Sequence, residues 1–150
     1  MTKNENFLFG IVGSIFHELR QSILFVLSAY SVLDNKVPET VVSPLEEFGN
    51  ISKKLLTEIE AQFGNLFRDI DSHSLATVSA QLRLLAIEFE MDTQTLSLLI
   101  HKIKTLNIHL EDPAFDKVLN ETLSFSLQNF INIVDYLKNI QAKDLTTKYF

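Results

Sequence analysis

His17, Glu18, Arg20 and Gln21 fall within five consecutive positions. They are the residues of this chain whose types and spacing could do chemistry. A neutral imidazole is a nucleophile, and an adjacent carboxylate can orient it and take its proton. The surrounding pattern predicts a helix: Val12, Ile15, Leu19 and Val26 return at helical spacing and face a core. That turns His17 to the opposite side. Gly13 and Ser14 lie about one turn before it and Gly10 about two, so small residues leave the imidazole uncovered. The same pattern also describes a surface histidine with no role.

The stretch Phe16-His17-Glu18-Leu19-Arg20-Gln21-Ser22-Ile23 resembles the phospho-accepting box of sensor histidine kinases. The apolar run from Leu24 to Leu33 is similar to the helix downstream of that box. The resemblance is to the dimerisation and histidine-phosphotransfer domain, and it covers at most residues 7 to 70. It implies that His17 is the phospho-acceptor and that Glu18 orients and deprotonates the imidazole. Gln21 stands where kinases with phosphatase activity often carry Thr or Asn to position a water, and Arg20 matches the basic position. The implied partner is a receiver domain or a histidine kinase of a two-component system. Phe16 departs from the Ser common in the box, and Ser22 from the usual Pro. Nothing after residue 70 resembles an ATP-binding domain, so an autonomous kinase is not expected. The resemblance therefore implies a phosphotransfer module, or a degenerate regulator binding through the same surface. A second stretch, Ser79 to Glu88, resembles the tip of chemotaxis receptors, with Glu88 and Phe89 departing from the Asn and Ala found there.

The remaining residues narrow the chemistry. The 150-residue chain has no cysteine, which removes thiolate catalysis, disulfides and zinc–thiolate sites and suits a cytoplasmic protein. Its net charge of −6 argues against nucleic acid as a partner. His101 and His109 are eight positions apart, roughly 12 Å along a helix, too far to share an ion. No metal and no cofactor are expected. The carboxylates Glu46-Glu47, Glu58-Glu60 and Glu88-Glu90 fit solvated helix faces. Twelve phenylalanines leave open a helical sensor with an apolar ligand pocket. A purely structural or protein-interaction bundle is the other alternative.

The elements that must position these residues read as four helices in one domain, at about 4–33, 44–70, 74–110 and 113–142. Asp34 to Pro38 breaks the first from the second. Ser43-Pro44-Leu45-Glu46 supplies a cap with proline at the first helical position. Asp71 to Ser74 and Asp112-Pro113 mark the later boundaries. The third helix is the most regular: Leu75, Val78, Leu82, Leu85, Phe89, Asp92, Leu96, Leu99, Ile103, Leu106 and Leu110 alternate steps of three and four. This is the repeat of helices packed nearly parallel, with a kink to be looked for at Asp92. Phe48, Leu55, Ile59, Phe63, Leu66 and Ile70 form the second stripe. Leu119, Leu123, Phe130, Ile133, Leu137 and Ile140 form the fourth. The reading is an all-α antiparallel four-helix bundle. Gly49 and Gly64, in repeated Phe-Gly-Asn triplets, mark tight packing or irregularity. The first helix is long and apolar, but Glu18 and Arg20 at its middle argue against membrane insertion. Its apolar residues lie on more than one face, Leu24 and Phe25 away from the main stripe. That predicts a homodimer in which a second copy covers the first helix.

Overall fold

The computed structural model describes residues 3–34, 42–70, 73–108 and 113–146 of the chain. Three long helices come first: α1 (Lys3–Asp34), α2 (Val42–Asp69) and α3 (Leu75–Ile108). The fourth run joins α4 (Pro113–Lys117), a π-helical stretch (Val118–Leu123) and α5 (Ser124–Lys138), and a 3₁₀ turn (Ala142–Thr146) completes it. Among the described residues there is no strand. The fold is all-α, a four-helix bundle. Neighbouring helices run antiparallel: α1 packs on α2 and α5, and so does α3. α1 and α3 therefore stand at diagonal corners.

Local chemistry explains the boundaries. The Ser74 hydroxyl accepts the Thr77 amide at 3.2 Å and caps α3. Pro113 opens α4, where a missing N–H costs nothing. α2 begins at Val42, so Pro44 sits inside the first turn rather than at its first position, still a tolerated place. α5 ends at Lys138, not near Ala142. Asn139 leaves the helical region at φ −116° and ψ 7°, and Ile140 and Leu145 turn into the core. Arg83 of α3 donates to the Ile140 carbonyl and holds this end closed.

The core takes the predicted stripes. In α3, Val78, Leu82, Leu85, Phe89, Leu96, Leu99 and Ile103 are all buried. α3 stays helical through Asp92. Asp92 lies at the edge of the seam, where Lys54 of α2 reaches its carboxylate at 3.4 Å. Leu110 lies outside the described residues. In the fourth run the buried residues are Phe115, Leu119, Leu123, Leu127, Phe130, Val134 and Leu137. Val134 thus takes the place expected for Ile133, which is only half-buried. The first three intervals are all fours. On an α-helix, with 3.6 residues per turn, repeated steps of four would walk the stripe away from the core. The wider π turn, with i→i+5 bonding, keeps Leu119 and Leu123 facing it.

The two Phe-Gly-Asn triplets separate in space. Phe48 and Phe63 are both fully buried. At Gly49 the Tyr30 ring of α1 lies against the bare backbone, and a Cβ there would run into it. At Gly64 there is open space. Burial holds the Tyr30 hydroxyl above its ordinary pKa, with Asp34 and Glu46 adding to the rise. Lys53 sits over the same ring, 5.6 Å from its centre.

Candidate functional site

His17 lies halfway along α1, and its position comes from the packing of the turns around it. Val12, Ile15, Leu19, Ile23 and Val26 are fully buried. They fix the inward side of α1, and His17 falls on the side facing away, where it is exposed. Phe16 leans toward α2 and stacks with Phe63 and Phe67 at 5.3 and 5.9 Å between ring centres. Phe9 adds a contact with Phe67 at 4.9 Å. These rings fasten α1 to α2 along one flank, so the helix that carries His17 is held firmly.

Around the imidazole the surface is open. Neither Gly10 nor Gly13 has anything within 4 Å of where a side chain would stand. The Ser14 hydroxyl folds back onto the Gly10 carbonyl at 3.0 Å and leaves the approach clear. Gln21, one turn on, is half-buried on the same side as His17. Glu18 is exposed but lies next to His17 in sequence, and adjacent helical residues do not face each other. Arg20 turns toward α2, where its Nε lies 3.8 Å from a Glu60 carboxylate oxygen. Both partners are about half exposed, so this pair holds Arg20 only loosely. Ser22 is buried, its hydroxyl bonded to the Glu18 carbonyl at 2.9 Å, and α1 continues unbroken past it.

The structure thus brings His17 and Gln21 together on an exposed face and sends Arg20 and Glu18 to either side of it. Clefts lie elsewhere. One of about 550 Å³ runs along the α3–α5 seam past Leu98 and Ile131. Another, of about 250 Å³, lies between α2 and α3 beside His73 and Gln81. Both open to solvent, and no phenylalanine lines either. The fully buried Phe48, Phe63, Phe89, Phe115 and Phe130 serve the core. His101 is exposed, and His109 lies outside the described residues. Among the described residues no three His, Asp or Glu side chains gather as metal ligands.

One surface goes beyond the sequence expectations. Leu84, Ile87, Met91 and Leu98 on α3 are 61, 57, 74 and 71% exposed. Their spacing of three, four and seven residues carries the signal. On α1 the surplus apolar residues are better covered: Leu24 and Leu27 are half-buried, while Phe25 and Val32 remain about half exposed. α1 is also the one described helix long and apolar enough to cross a membrane, and here its main stripe is spent in the core.

Compared with protein-family models, with curated proteins and with solved structures, the chain matches none.

Proposed function

We propose that this chain is a signalling module that acts through exposed helix faces, and that His17 accepts a phosphoryl group from a docked partner. The observation that carries this reading is the setting of His17: uncovered, halfway along a helix fastened on both flanks, beside small residues that admit another domain. In the transfer, a neutral ring nitrogen attacks phosphorus and the aspartate carboxylate of a receiver domain leaves. In this reading Gln21, one turn on, contacts the transferred group. A small rotation of the exposed Glu18 and Arg20 side chains would bring their charges to the rim of the same face. A receiver domain or a histidine kinase is the partner class, in the cytoplasm.

The test is to incubate the protein with phosphorylated receiver domains and look for acid-labile phosphate. Label on the wild type and none on His17→Gln supports the reading, and Glu18→Ala should slow the transfer by about tenfold or more. Label that persists in His17→Gln, or no label from any receiver, overturns it. A second reading, a protein-interaction bundle without transfer, is favoured by the apolar outward face of α3, which has no need of a histidine.

A further inference from the structure

We propose that the outward face of α3 is a parallel, in-register interface between two copies of this chain. This inference stands apart from any role of His17. Leu84, Met91 and Leu98 repeat every seven residues, and Ile87 falls three after Leu84. Positions three and seven apart form the seam along which helices pair. This seam points away from the core, opposite Val78, Leu82, Phe89 and Leu96; its four apolar side chains are more than half exposed, and Gln94 takes the place three after Met91. Together they present several hundred Å² of apolar surface, the size at which an exposed patch marks an interaction site.

The flanking charges choose the occupant and its direction. In a parallel pair, a residue just before the seam meets the residue five positions on in the other helix. Arg83 then meets Glu88 of the second copy, and the symmetry makes the pair twice. Arg83 gives one N–H to the Ile140 carbonyl, and its guanidinium has further donors to spare. Glu90 meets Thr95, and Ser97 meets Lys102; no like charges face each other. An antiparallel pair centred on Met91 would forfeit both Arg83–Glu88 pairs; Glu90, already held by Lys138 of α5 at 2.6 Å, does not choose between the two directions. A bilayer surface fits poorly, because the flanks mix Arg83 and Lys102 with Glu88 and the Lys138-paired Glu90, where interfacial helices carry an excess of Lys and Arg. The seam alone falls short of the roughly 800 Å² per partner of a standard interface, which sets the expected affinity in the micromolar range.

Because the chain has no cysteine, the test is clean. Sedimentation of the wild type from about 1 to 200 µM should show a monomer–dimer equilibrium, and Met91→Glu should weaken it by about thirtyfold or more. Leu84→Cys should cross-link to itself on oxidation, since facing seam positions lie within disulfide reach. A wild type that stays monomeric at the top concentration overturns the proposal. So does a dimer that survives Met91→Glu but is split by Phe25→Glu, which would move the interface to α1. If Leu84→Cys links to Leu98→Cys and not to itself, the parallel register is wrong. Vesicle binding abolished by Met91→Glu, with no dimer in solution, would assign the face to a membrane instead.

Discussion

α1 and α3 occupy equivalent diagonal corners of the bundle, each held between α2 and α5, yet they turn opposite kinds of surface outward. α1 shows Gly10, Ser14, His17, Gln21 and Ser28, small or polar, among which Phe9, Phe25 and Val32 are each about half exposed. α3 shows Leu84, Ile87, Met91 and Leu98. The inward sides are alike, both filled by buried aliphatic residues with one buried aromatic each, Tyr30 and Phe89. The difference lies wholly in residues the fold does not need. Such residues are free to serve contacts outside the fold, and a different contact is proposed above for each face.

If that division is right, the largest stability effects should come from the inward sides of both helices equally. Phe89→Ala should cost about 3–5 kcal/mol and Ile15→Ala about 2–5 kcal/mol, measured by urea unfolding, since both are fully buried. A loss below about 1 kcal/mol for either would break the equivalence of the two corners.

The glycines sharpen the picture of how α1 is drawn into the fold. Gly49→Ala drives a methyl into the Tyr30 ring and should destabilise by about 1–3 kcal/mol. Gly64→Ala, in the same triplet, meets open space and should stabilise by up to about 1 kcal/mol through helix propensity alone. Equal effects at the two sites would mean that Tyr30 does not rest on Gly49.

Asp92→Leu removes a charge from the edge of the inward α3 seam. It forfeits the contact with Lys54, whose own ammonium is mostly exposed, a loss of no more than about 1 kcal/mol. The added burial should outweigh it, and a small rise in thermal midpoint is expected. A fall would show that the pair fixes how α2 meets α3.

The smallest effects belong to the outward positions. His17→Gln and Met91→Ala, measured where the protein is dilute, should each change unfolding stability by less than about 0.5 kcal/mol. Each stands two residues from a core position, Ile15 or Phe89. If stability moves with them, their outward faces are part of the fold, and any loss of phosphotransfer or assembly in these variants would be indirect.

Much of the bundle is legible in the chain. The α3 seam is readable because its steps of three and four run without a slip along the whole helix, whereas the outward set from Leu84 to Leu98 is short. His17 can be placed outward because Val12, Ile15, Leu19 and Val26 leave it no other direction. The π stretch leaves a trace in the unbroken fours from Phe115 to Leu127, but a stripe running from Leu119 and Leu123 straight to Phe130 hides it. The apolar excess of α1 is legible as well. Which surplus stays uncovered depends on neighbours, and here α2 takes Phe16 while the larger exposed surplus sits on α3.

By itself, then, the sequence determined the helices, their inward stripes and the side on which His17 stands, because these arise from periodicity within one helix. Which helices adjoin, which of the two Phe-Gly-Asn glycines must remain bare, where Arg20 and Asp92 find their partners, and which corner is left apolar were decided only in the tertiary structure. Each of those depends on residues brought together from distant parts of the chain, a relation that no spacing along a single helix encodes.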